Sequence, residues 1–112
     1  MVKLRKDIIS KTKGFNLTKS DILDFLKDNK EFLSSAYSVE KIGVFGSYAK
    51  DIAKSDSDID FYVIFKNKTL DNITGLWLYL EEVFDKKIDL IHYHSRIRDG
   101  LKKQIESEIL YA

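Results

Sequence analysis

Two aspartates separated by one residue, Asp58 and Asp60, stand where a polar turn, AKSDS, gives way to the apolar run FYVIF. In an extended strand, residues i and i+2 leave the same face about 6–7 Å apart. Two unpaired carboxylates at that spacing repel, and one is pushed toward its neutral form. A divalent cation between them removes the conflict, and Mg²⁺ suits the task because it binds a few carboxylate oxygens and keeps other positions for water and phosphate. The plainer reading of SDSDID is an acidic turn spilling into a strand, since aspartate is common in turns. Three further features favour chemistry. Asp89 lies inside KIDLIHY, a second strand-like run in which aspartate is out of place; if the two strands are neighbours, it brings a third carboxylate to the pair. Val44-Phe45-Gly46-Ser47 reads as a strand feeding a turn and then a short helical stretch, YAKDIA. Backbone N–H groups and a serine hydroxyl there make an anion site suited to phosphate, and glycine lets the backbone approach a ligand closely. Lys50 adds positive charge at the same mouth. Three acids for a metal and a Gly-Ser cradle for phosphate are the parts of metal-assisted phosphoryl or nucleotidyl transfer.

These residues must be positioned by a small set of elements. NLTKSDILDFLKDNKEFLSS predicts a helix with Thr18 as N-cap and Asp21 as its capping-box partner, and with Ile22, Phe25, Leu26, Phe32 and Leu33 on one stripe. Val39–Phe45 predicts a strand. Asp58–Phe65 predicts another, with Ile59, Phe61, Val63 and Phe65 on one face and Asp58, Asp60, Tyr62 and Ile64 on the other. DNITGLWLYLEEVFDKK follows as a helix buried along Ile73, Leu76, Trp77, Leu80, Val83 and Phe84. KIDLIHY is the third strand. SRIRDGLKKQIESEIL closes the chain as a helix with the apolar line Ile97, Leu101, Ile105 and Ile109, weakened by Gly100. The order α-β-turn-β-α-β-α predicts an α/β (α+β) domain: a small mixed β-sheet with helices packed on it.

Composition narrows the field. The chain has 112 residues, enough for a single domain over 1–112. It contains no cysteine, which removes disulfides and thiolate chemistry. No stretch resembles a secretory signal or approaches the roughly 20 apolar residues of a membrane helix, so no membrane association is expected and the cytoplasm is the expected location. A net charge of +1 gives no global field for nucleic acid. The charge is uneven, however: Met1–Lys13 holds five basic residues against one acid, so residues 1–15 read as a solvated basic terminus or a partner-docking arm. His92 and His94 fall on the strand face opposite Asp89 and so do not join the carboxylates. Trp77 reads as core rather than as a base-stacking ring, and the closing Ser-Glu-Ile-Leu-Tyr as packed on the sheet. Tyr48 is the aromatic expected nearest a nucleotide.

Gly46-Ser47, ten intervening residues and then Asp58-Ile59-Asp60 resembles the signature of the DNA polymerase beta-like nucleotidyltransferase superfamily. KIGVFGSYAKDIAKSDSDIDFYVIF resembles its minimal nucleotidyltransferase branch, stand-alone domains commonly encoded as the antitoxin partner of a HEPN-domain ribonuclease toxin. The resemblance runs from about Leu17 to the C-terminus. It implies the polymerase beta-like fold, Mg²⁺ (two ions) held by Asp58 and Asp60 with Asp89 as third carboxylate, and ATP as substrate, its distal phosphates on Gly46 and Ser47. It also implies a toxin tyrosine as acceptor, adenylylated and thereby silenced, in a hetero-oligomer of toxin and antitoxin. One departure is visible. Family members commonly read G-S-x-A-R-G, whereas this chain has Lys50-Asp51 in the last two places. Lysine keeps the charge but loses the bidentate fork, and Asp51 adds a negative group. Two other readings keep the residues and change the role: an inactive antitoxin that acts by binding alone, and a nucleotidyltransferase with a small-molecule acceptor, which the lack of an evident second domain disfavours.

Overall fold

Thr18 caps the first helix as its sequence predicts: its Oγ1 accepts from the Asp21 N–H (3.2 Å) and Asp21 Oδ2 accepts from the Thr18 N–H (3.0 Å). The computed structural model describes residues 17–112, and the basic arm expected over 1–15 lies outside the described residues. The single helix expected next is two, α1 (Lys19–Asp28) and α2 (Lys30–Tyr37). Asn29 breaks it. The residue is buried, and its Nδ2 donates to the Phe25 carbonyl (2.9 Å) that its own N–H also reaches (3.0 Å). A side chain able to bond locally to the backbone offers an alternative to continuing the helix.

Strand β1 (Val39–Phe45) runs into a one-turn helix, α3 (Gly46–Ala49). Strand β2 (Ile59–Phe65), helix α4 (Leu70–Phe84) and strand β3 (Ile88–His92) follow, then helix α5 (Asp99–Glu108) and a two-residue strand, β4 (Leu110–Tyr111). The sheet order is β3-β2-β1-β4. β1 is antiparallel to both β2 and β4, while β2 and β3 are parallel, a pairing that needs a crossover, here α4. The mixed sheet matches the expectation, except that the closing segment leaves the helix early and becomes β4. Gly43 makes this possible. A Cβ there would sit 2.7 Å from Ile109 Cγ1 and 2.8 Å from the Leu110 carbonyl oxygen, so only glycine lets the last strand close on β1.

The two sheet faces bury different groups. On one, Ile22, Phe25 and Leu26 of α1, Leu33 of α2, and Leu76, Leu80, Val83 and Phe84 of α4 cover Val44, Ile59, Phe61, Val63, Ile88 and Leu90. A register shift between Val39 and Lys41 lets Val39 and Ile42, three residues apart, both join this core. On the other face, Leu101 and Ile105 of α5, with Ile97 just before it and Ile109 just after it, complete the predicted line and pack over Phe45, Tyr62 and Ile64. Among the described residues, no helix is long and apolar enough to cross a membrane.

Candidate active site

The face covered by α5 also carries the acids. In the sheet register Phe45, Asp60 and Asp89 form one row across β1, β2 and β3, so alternation places the Asp60 and Asp89 side chains on one side of adjacent strands. The two predicted strands are neighbours, as the argument for a third carboxylate required. Asp58 stands one residue ahead of β2 rather than inside it. The turn before it is closed by Lys54 N–H donating to Ser57 Oγ (2.8 Å) and Ser57 N–H donating to the Lys54 carbonyl (3.0 Å). Lys86 Nζ donates to the Ser55 carbonyl (2.6 Å), tying this turn to the approach of β3.

Asp60 is the electrostatic centre. Burial first, then the charges of Asp89 and Asp58, a hydrogen bond with Asp89 and the charge of Glu108 lift its pKa from 3.8 to about 6. The structure therefore brings Asp60 and Asp89 into contact and sets Asp58 within electrostatic reach. It does not close them into a cage: among the described residues, no three acidic or histidine side chains stand near enough together to hold an ion as they are. The donor chemistry nevertheless fits a hard divalent cation, since every group offered is a carboxylate oxygen and, after burial, the charges of Asp89 and Asp58 disfavour the ionised Asp60.

Gly46, directly after β1, has φ +72°, a backbone region open to glycine. An added Cβ would overlap Asp60 Oδ2 and lie 3.0 Å from its Cγ. Glycine is required here twice over, for its φ and for the carboxylate that packs against it. Ser47 is half-buried on the next position, and its carbonyl accepts from the Ile52 N–H (3.0 Å). Tyr48 departs from expectation. It is buried in the core formed with α1 and α4, because a one-turn helix that leaves Ser47 toward solvent turns its next residue inward. Lys50 lies near the mouth but its Nζ pairs with Glu108 Oε2 (3.0 Å). Asp51, the departure noted from the resembled motif, adopts φ +61° and pairs with Lys19 (2.9 Å). Aspartate tolerates that left-handed conformation better than most residues.

Glu108 is the site residue that the sequence reading missed. Its Oε1 accepts from the Gly46 N–H (3.3 Å) across 62 positions of chain. One signal was available: the last turn of α5 carries acids and no basic residue, the opposite of what the negative end of a helix favours. The remaining candidates behave as read. His92 pairs with Val63 on the sheet face away from Asp89, its ring 5.6 Å from that of His94. Trp77 packs against the core and its Nε1 donates to the Ile88 carbonyl (2.9 Å).

The profile of the family described as Polymerase beta, Nucleotidyltransferase matches residues 22–112. Protein adenylyltransferase MntA of Thermococcus cleftensis is 35% identical over 96 residues, covering 85% of this chain and 96% of the relative. Among solved structures, a toxin–antitoxin crystal structure with AMP-PNP contains a chain 27% identical, with a TM-score of 0.60 over 76% of this chain and 70% of that one. A crystal structure of the toxin–antitoxin MntA-HepT contains a chain 26% identical, with a TM-score of 0.50 over 83% of this chain and 67% of that one. Sheet order, the Gly46 turn beside Asp60 and a profile match over most of the chain converge: this protein belongs to the polymerase beta nucleotidyltransferase family.

Proposed function

We propose that this nucleotidyltransferase moves AMP from ATP to a tyrosine hydroxyl of a cognate HEPN ribonuclease toxin and thereby neutralises it, working in the cytoplasm where both ATP and the toxin's RNA targets are found. The observation that carries the proposal is the Asp60 carboxyl, held between Asp89 on the parallel neighbour strand and the Gly46 turn. The likeness to a protein adenylyltransferase and to a toxin–antitoxin chain crystallised with AMP-PNP supports the choice of nucleotide and acceptor.

In this reading Asp58, Asp60 and Asp89 hold Mg²⁺, two ions in the full complement, which when bound offsets the triphosphate's charge and that of the leaving pyrophosphate. Gly46 N–H, Ser47 and Lys50 bind the distal phosphates, which orients the α-phosphorus toward the carboxylate row. The acceptor oxygen attacks that phosphorus, the bond to the bridging oxygen breaks, and pyrophosphate leaves. Asp89, the exposed member of the row, orients the acceptor hydroxyl and takes its proton. The nucleotide added to the toxin places negative charge and bulk where RNA must bind. Purified protein, ATP, Mg²⁺ and the cognate toxin are expected to release pyrophosphate in proportion to toxin added. Neutralisation with no pyrophosphate released would favour an antitoxin that acts by binding alone.

A further inference from the structure

Glu108 lies on two of the three groups that the proposed reaction gives to phosphate, the Gly46 N–H and Lys50. It is the last residue of α5, and its side chain is only 13% exposed. Oε1 accepts from the Gly46 N–H (3.3 Å) and Oε2 pairs with Lys50 Nζ (3.0 Å), and the Gln104 side chain one turn earlier also favours the ionised carboxylate. A carboxylate thus spans one backbone amide and one ammonium, donors that a phosphate oxygen would use in the same way. It also lies within electrostatic reach of Asp60, whose ionised form its charge disfavours. Glu108 is therefore held by donors of the cradle while its charge bears on Asp60, an arrangement that a more highly charged anion can displace. The backbone around it has little freedom, because Ile109 packs against Gly43 and Leu110–Tyr111 pair with β1. Exchange is confined to the side chain.

We infer that Glu108 is an internal competitor for the nucleotide's distal phosphates: it occupies Gly46 N–H and Lys50 in the free protein, and its displacement sets the affinity for ATP. The inference rests on the reading that these two groups bind nucleotide. It makes Glu108 an affinity-determining residue outside the sequence motif, and it ties the C-terminal end of the chain to the catalytic turn.

The test is calorimetric binding of ATP, inorganic tripolyphosphate and AMP, with Mg²⁺ and without toxin, to the wild-type protein and to E108Q, E108D and E106Q. Removing or shortening the carboxylate is expected to tighten ATP and tripolyphosphate about three- to tenfold, the worth of one or two exchanged hydrogen bonds, and to leave AMP unchanged. E106Q removes the same charge from an exposed position two residues away and is expected to change none of the three. E108D keeps the charge and loses the reach, and so separates contact from field; it also carries the test if E108Q folds poorly. Equal tightening by E106Q and E108Q would overturn the inference in favour of net charge. Unchanged or weaker ATP binding in both Glu108 variants would overturn it, and a lowered thermal midpoint beside that result would make Glu108 a structural tie instead. If every protein bound ATP alike, only the inference would fall. If none bound ATP or tripolyphosphate, the nucleotidyl-transfer reading would fall with it.

Discussion

Asp60 keeps its proton to about pH 6 because burial and two neighbouring aspartates make its charged form costly. The sign of the consequence follows from linkage. The folded protein holds this proton more tightly than the unfolded chain, whose aspartates titrate near 3.8. Asp60 therefore contributes stability that is complete below about pH 3.8 and is lost as pH rises through about 6. Urea unfolding from pH 4 to 7.5 in EDTA, compared between wild type and Asp60→Asn, is expected to show the variant gaining on the wild type across that window. A constant difference would place the carboxyl in a different environment. Cation binding has the opposite trend, since the proton must leave first, so Mg²⁺ affinity is expected to fall below about pH 6. Gly46 makes a second residue-level claim. Gly46→Ala meets both a positive φ and the Asp60 carboxylate, and is expected to cost about 1–3 kcal/mol in urea unfolding together with nearly all transfer activity. Retention of both would contradict the packing of the turn against Asp60.

Among elements, the junction of α1 and α2 is decided by a single buried amide. Asn29→Ala removes its bond to the Phe25 carbonyl and is expected to lower stability by about 0.5–1.5 kcal/mol, read from the shift in urea midpoint at constant slope. The strands were legible because apolar, β-rich runs announce them: β1 has its predicted bounds, and β2 loses only Asp58 from its start. The capping box at Thr18 and the apolar line of α5 were legible for the same local reason. The break at Asn29 was hidden because a polar residue between two helical stripes looks like solvent-facing helix until its burial is known. β4 was hidden because two residues carry no periodicity; it exists through Gly43, a contact made at long range. The same distinction divides the site. Asp58, Asp60, Gly46 and Ser47 are read from spacing along the chain, and Asp89 from its misfit in a strand. Glu108 reaches the turn only through tertiary packing, and Tyr48 was misplaced because the inward face of a single helical turn cannot be read from sequence.

At the scale of the whole molecule, the described residues form a slab of 39 × 31 × 19 Å whose sheet is covered by three helices on one face and by α5 on the other. Asp60 on β2, with Asp58 just ahead of that strand, and Asp89 on β3 come from segments far apart in sequence, so a cation held among them links the two. Such binding stabilises the folded state alone. Mg²⁺ is expected to raise the thermal midpoint of the wild type and to leave that of Asp60→Asn where it was; equal shifts in both would move the cation elsewhere. The account as a whole stands or falls on whether the carboxylate row performs transfer. The most direct measurement is the intact mass of the cognate toxin after co-expression with the wild-type protein, Asp60→Asn or Asp89→Asn. The account predicts a toxin heavier by one or more AMP groups with the wild type, and modification reduced at least about a hundredfold with either variant. A toxin fully modified by both variants, or left unmodified yet silenced by the wild type, would contradict it.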